Sequence, residues 1–245
     1  MNKSPDDFKM GIMEHLGELR TRIFSALIGI LLTSLFAFIS ATEIFKFINK
    51  PLVNAFSGES LIGTGPAEAF IIKIKVSVFA GIVFALPWVV YQIWLFILPG
   101  LHKQEQKLVV PFVASATFLF LLGISFAYYL VMPLAFDFFI NQYNSIGIEP
   151  TIRISENLNL MLKSLLAFGI TFQMPVLSYF MAKLGVLTSV AMINSWRYVM
   201  VACVVVGAVL TPPDIFSQLL LSGPMVVLYV ISIGIVKSVE KSSEA

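Results

Sequence analysis

Leu210-Thr211-Pro212-Pro213-Asp214-Ile215-Phe216-Ser217-Gln218 stands between two apolar runs. A proline pair there ends one helix and starts another, because proline has no amide N–H to donate to a continuing helix. The run before it, Tyr198 to Leu210, holds about 13 residues, which make about 20 Å of helix at ~1.5 Å per residue. A hydrocarbon core is about 30 Å thick. On this reading the fifth span is too short to cross unaided. It must thin the bilayer, sit beside water or lean on a partner.

The rest of the chain agrees with a membrane setting. It is 58% hydrophobic and 12% charged, with a mean hydropathy of +0.91. Soluble domains carry about 25% charged residues. The net charge of +2 is too weak to point to nucleic acid. Cys203 is the sole cysteine, so no intrachain disulfide is expected. No cleaved signal peptide is expected, because the charged N-terminal stretch is long and the first apolar run is followed by more spans. The first few residues and the tail after Lys237 read as short ends.

Working outward, six spans are expected, at about 23–40, 69–97, 109–131, 158–182, 198–210 and 215–236, within a single integral membrane domain over residues 1–245. With the N-terminus inside, the inner segments hold Lys3, Lys9, Arg20, Arg22, Lys103, Lys107, Lys183, Arg197, Lys237 and Lys241. The outer side holds Lys46, Lys50, Lys73, Lys75, Arg153 and Lys163. This bias puts both termini in the cytoplasm. In the first outer loop Ile44, Phe45, Ile48, Leu52 and Phe56 recur at helical spacing. They predict an interfacial helix at about 43–57, broken near Pro51. Gly65-Pro66-Ala67-Glu68 reads as a helix start, with proline first and Glu68 third.

Spans two and four share a pattern. Lys75, Gly81, Ile82, Phe84, Pro87 and Tyr91 align with Lys163, Gly169, Ile170, Phe172, Pro175 and Tyr179. The pattern is either a trace of duplication or two independent helices kinked at Pro87 and Pro175, each freeing a carbonyl one turn earlier, at Val83 and Thr171. Matched kinks predict a curved bundle with a concave, glove-like face.

No glycine-rich phosphate loop is present, no His-Glu-x-x-His, and no cysteine–histidine cluster that would hold a metal. Neither His15 nor His102 lies in a span, so no buried nucleophile has a histidine base. Glu18, Glu105 and Asp214 flank spans instead of sitting at midplane, where coupled transporters place ionisable groups. The chain is therefore expected not to be an enzyme, and to need no cofactor and no metal.

The polar residues near the spans leave alternatives open. Glu18 can pair with Arg22 four residues on, or receive a cationic ligand. Glu105, after Phe96-Ile97-Leu98-Pro99-Gly100-Leu101, is either solvated or part of the same cytoplasmic recognition surface. Two carboxylates beside apolar ledges suit a cationic peptide followed by an apolar stretch, since a carboxylate binds guanidinium through paired charged hydrogen bonds. Gln173, near the middle of span four, is either helix-to-helix glue worth about 0.6 kcal/mol or the lining of a polar recess for another helix. Thr211-x-x-Asp214 reads as a cap, with the carboxylate at the positive end of span six.

Taken together these segments resemble the TatC family, the multispanning core subunit of the twin-arginine protein translocase. The pieces are His15-Leu16-x-Glu18-Leu19-Arg20-x-Arg22, Phe96-Ile97-x-Pro99-x-Leu101 with Glu105, Lys107-Leu108-Val109-Val110-Pro111, Pro133-Leu134-Ala135-Phe136, Ala167-Phe168-Gly169 with Phe172 and Pro175, and Leu210-Thr211-Pro212-Pro213-Asp214-x-Phe216-Ser217-Gln218. They run in order from His15 to about Val236. The resemblance implies a receptor for signal peptides that bear two adjacent arginines. Glu18 and Glu105 match its acidic contacts, and Arg20 and Phe96 match their neighbours. Pro51 matches the proline of the first outer loop. Thr211 and Gln218 match a polar cluster where single-span TatA/TatB-type subunits dock. The family exports folded proteins across the cytoplasmic (inner) membrane on the proton-motive force.

Two departures stand out. Gln173 replaces an acid found in many relatives, and an amide cannot titrate. Gln104 stands where many have a histidine.

The expected protein is thus all-α, a six-span signal-peptide receptor and assembly platform. Its apolar concave face leads a bound peptide toward Gln173, and self-association is expected. A secondary transporter or channel for a small solute is the alternative, and a passive scaffold is the third reading.

Overall fold

A computed structural model describes residues 12–56, 62–97, 109–148, 151–210 and 214–244. Its helices are α1 (Ile12–Ile39), α2 (Ala41–Ala55), α3 (Glu68–Ile97), α4 (Val109–Phe126), α5 (Met132–Ser145), α6 (Ile154–Thr171), α7 (Met174–Lys183), α8 (Ser189–Leu210) and α9 (Ile215–Glu244). No strand occurs among the described residues, only an isolated bridge between Ile62 and Arg153. Six stretches are long and apolar enough to cross a membrane: Met13–Ile39, Glu68–Ile97, Val109–Ser145, Ile154–Lys183, Ser189–Leu210 and Ile215–Lys241. The protein is an all-α, multi-pass membrane protein. Large apolar side chains on α1 such as Phe24, Leu31, Leu35 and Phe36 are exposed. Such a helix is stable in lipid, where its backbone groups are satisfied internally and its side chains meet hydrocarbon.

Spatially, the described residues fall into two compact units. In the first, α1 runs antiparallel to the part of α3 from Ser77 onward. Arg22 meets Gln92, the Trp88 indole N–H donates to the Ser25 carbonyl at 3.1 Å, and the Thr33 hydroxyl donates to the Gly81 carbonyl at 2.8 Å. As one number rises the other falls, which fixes the register. Gly81 permits this approach. A Cβ there would lie 2.0 Å from Ser34 Oγ and 2.7 Å from Ser34 Cα, so only glycine fits. Pro87 lies inside α3, which continues through it.

The second unit holds α2, the start of α3, and everything from Phe118 onward. Here α2 corrects the sequence reading, because it is unbroken at Pro51. Proline removes the N–H that would serve the carbonyl four residues earlier, Phe47. The Tyr128 hydroxyl donates to that carbonyl instead, at 2.6 Å, and its ring stacks on Phe47 at 4.9 Å. Tyr128 can reach it from a π-turn, Ala127–Val131, where the Met132 N–H bonds back to Ala127 O. The turn sits immediately before Pro133, which has no N–H to continue the regular ladder.

Span one begins at Met13, well before the expected 23, and four other spans also differ from their expected bounds. Span three runs beyond 131, through the π-turn into α5. Span four is not one kinked helix over 158–182. It splits into α6 and α7 around Phe172 and Gln173, because Pro175 cannot donate back into α6. Span five begins at Ser189, not near 198, and α8 has 22 residues, about 33 Å at ~1.5 Å per residue. The helix is therefore long enough to cross, and the short-span argument for thinning the bilayer fails. Span six is likewise longer, since α9 continues to Glu244.

Candidate functional site

In the first unit, α1 and α3 bring a polar group together at the N-terminal end of α1. Glu18 and Arg22 lie four apart on one helical face. Arg22 Nη2 donates to Glu18 Oε1 at 3.1 Å, with the two side chains 32% and 18% exposed. Arg22 Nη1 lies 3.5 Å from Gln92 Oε1 on α3. One turn outward, His15 stacks on Phe96 with ring centroids 4.3 Å apart. Gln92 and Phe96 are themselves four apart, so α3 presents both along one face. Arg20 is exposed and lines a groove of about 720 Å³ that continues along Phe24, Ile28, Leu32, Phe84 and Trp88.

The ion pair is incomplete. Glu18 Oε2 and Arg22 Nε are both buried without a hydrogen-bond partner. A buried polar atom left unsatisfied costs about 1–3 kcal/mol. The Glu18–Arg22 pairing raised by the sequence is present, and it leaves one buried carboxylate oxygen without a donor. Glu105 lies outside the described residues.

The second unit holds the other sequence candidates. Gln173 occupies the break between α6 and α7. Its backbone N–H turns to the Ile170 carbonyl at 2.9 Å, and its Nε2 donates to the Gly169 carbonyl at 3.3 Å. Gln218 Nε2 donates to the Val204 carbonyl at 3.1 Å, where Gly207 lets α8 approach α9. A Cβ on Gly207 would be 3.0 Å from Gln218 O. Asp214 accepts from the Ser217 N–H at 2.7 Å and from the Ser217 hydroxyl. It thus occupies the capping position itself, with Ser217 third in the helix. The predicted partner, Thr211, lies outside the described residues.

Glu68 gathers the segment that precedes α3. Its carboxylate accepts from the Gly65 N–H at 3.2 Å, from the Thr64 N–H, and from the N–H of Ser155 at 3.2 Å. It therefore joins the start of α3 to the start of α6. Beneath it, Lys75 Nζ donates to Asn159 Oδ1 at 2.8 Å, and Asn157 donates to Asn49 at 2.8 Å in a buried pair.

Sequence reasoning missed Gln92, the His15–Phe96 stack, the Asn49–Asn157 pair and Glu240. For Gln92 and Asn157 the signal was available: an amide in a membrane-spanning helix needs partners. The other two depend on contacts between distant segments. Pro175 is buried while Pro87 is exposed, so the two aligned prolines occupy different settings. The aligned glycines behave alike. Gly81 meets Ser34 of the preceding span, and a Cβ on Gly169 would be 2.7 Å from the Phe120 ring of its own preceding span.

Comparisons with known proteins agree on one relationship. A model of the family Sec-independent protein translocase protein (TatC) matches residues 14–224. A Sec-independent protein translocase protein TatC of Magnetococcus marinus is 38% identical over 95% of this chain and 86% of its own length. The protein of the same name from Escherichia coli K12 is 34% identical over 91% of this chain and 86% of its own. A crystal structure of the twin arginine translocase receptor TatC superposes with a TM-score of 0.85 at 34% identity, over 92% of this chain and 99% of that one. With most of its length matched in both sequence and fold, this chain belongs to the TatC family of Sec-independent protein translocase proteins.

Proposed function

We propose that this chain is the signal-peptide receptor and core subunit of a twin-arginine translocase in the cytoplasmic membrane, with both termini cytoplasmic. The observation that carries the reading at the residue level is the unpartnered Glu18 Oε2. A guanidinium offers planar, paired donors that suit a carboxylate, whereas a lysine ammonium acts as a point charge. On binding, the Glu18 side chain turns its second oxygen out to one arginine of the peptide while Arg22 holds the other oxygen. Glu105 takes the second arginine, and the exposed Arg20 and the stacked Phe96 border the contact. The apolar groove beyond Arg20 follows directly, as the apolar stretch of a signal peptide requires.

Gln173 and Gln218 are proposed as polar positions for partner helices of the TatA/TatB type. Both side chains are only half buried, so each retains a face toward a neighbour. Transport of folded proteins on the proton-motive force follows from the family.

Replacing both Glu18 and Glu105 by alanine tests the receptor reading. Precursor binding is expected to fall at least tenfold, and export to stop, while the protein still folds in the membrane. Unchanged binding and export in that double variant would remove both carboxylates from recognition.

A further inference from the structure

In the second unit, α7 and α9 leave a groove of about 440 Å³ between them. Tyr179 and Lys183 line it from α7, and Ile231, Gly234, Ile235 and Ser238 line it from α9. Residues four apart share a helix face, as do residues seven apart, so each helix offers one continuous wall. One span separates these two segments, so they run in the same direction. The groove is therefore graded: Lys183, in the last turn of α7, and Ser238 stand at one end, and the isoleucines extend from it toward the membrane interior. Gly234 is not a close-approach glycine. A Cβ there meets nothing within 4 Å, so the space beside it is open.

Lys183 is the charged side chain that lines the polar end. Lys183 makes no ion pair among the described residues. Lys237 and Lys241 lie on the same stretch of α9, along with Glu240 and Glu244. Glu240 is already engaged, since its two oxygens accept from the Ser189 N–H at 2.8 Å and the Ser189 hydroxyl.

We propose that this groove binds one anionic glycerophospholipid, with its phosphate at Lys183 and one acyl chain along Ile231 and Ile235. Basic pockets between helix ends take such headgroups. The volume lies in the range of small-molecule sites. Tyr179 lines the α7 wall beside Lys183, and the Ser238 hydroxyl donates to the Gly234 carbonyl at 3.0 Å, which leaves Lys183 as the group that meets the headgroup. The proposal is independent of the signal-peptide reading.

The test is the lipid retained by the full chain after reconstitution into phosphatidylcholine nanodiscs doped with phosphatidylglycerol, counted by native mass spectrometry. Wild type is expected to keep one phosphatidylglycerol. Lys183→Gln and Gly234→Leu each reduce its occupancy at least fivefold, the first by removing the cation and the second by filling the open space. Lys237→Gln leaves it within twofold. Equal loss in Lys237→Gln would mean diffuse surface charge and overturn the site, as would full retention in both groove variants. Inorganic phosphate and glycerol 3-phosphate are expected to leave the melting temperature unchanged. A shift as large as that given by the lipid would assign the groove to a free phosphate instead.

Discussion

Glu18 and Tyr128 show how single residues carry the account. Both answer a deficit set by the sequence. Glu18 forms half of an ion pair with an oxygen to spare, and Tyr128 supplies the donor that Pro51 lacks. Tyr128→Phe is expected to lower stability by about 1–3 kcal/mol, the cost of a buried acceptor left without its donor, read as a fall in melting temperature in detergent. In a Pro51→Ala background the same change should cost less, because alanine at that position restores a backbone N–H for the Phe47 carbonyl. Equal costs in the two backgrounds would mean that Tyr128 acts through its ring alone. Glu18, Glu68 and Asp214 could be singled out from the sequence, since acids beside helix starts have few roles. Gln92 could not be tied to Arg22, which is 70 residues away, because a helix pattern gives a face but not the helix that covers it.

At the scale of elements, apolar runs located the spans, while helix ends followed other signals. The expected start of span five near Tyr198 tracked hydrophobicity, which drops at Asn194-Ser195-Trp196-Arg197. The helix continues through those polar residues because its backbone bonds do not depend on them. Its true start carries ordinary capping chemistry: the Ala191 N–H donates to the Thr188 hydroxyl at 3.2 Å, as an N-cap threonine accepts from the third helical residue. Glu240 then receives the N–H and hydroxyl of Ser189, which ties the first turn of α8 to the last turns of α9. The Tyr229 hydroxyl adds a bond to the Met192 carbonyl at 2.7 Å. Glu240→Ala is expected to loosen that turn, seen as faster amide exchange at residues 189–192 with no change near Gly207. Uniform acceleration along α8 would instead indicate that the whole hairpin depends on this contact. The π-turn and the break at Gln173 follow prolines that were visible in the sequence. Whether a proline kinks, bulges or splits a helix was not, because that depends on which neighbour satisfies the freed carbonyl.

For the whole molecule, composition and order of motifs were sufficient to reach the class and the family. A chain that is 58% hydrophobic with six helices long enough to span has little freedom but to live in a bilayer. The polar segments in sequence order then matched one family across nearly the full length. What the sequence could not supply was the completion of the proposed recognition site, since His15, Glu18, Arg22, Gln92 and Phe96 come from two spans. The central claim is that this chain selects arginine over lysine through Glu18. The direct measurement is the affinity of the purified protein for a twin-arginine signal peptide and its twin-lysine variant, with wild type and with Glu18→Gln. The account predicts at least tenfold tighter binding of the arginine peptide by wild type, with that preference lost in Glu18→Gln. Equal binding of both peptides by both proteins would contradict it.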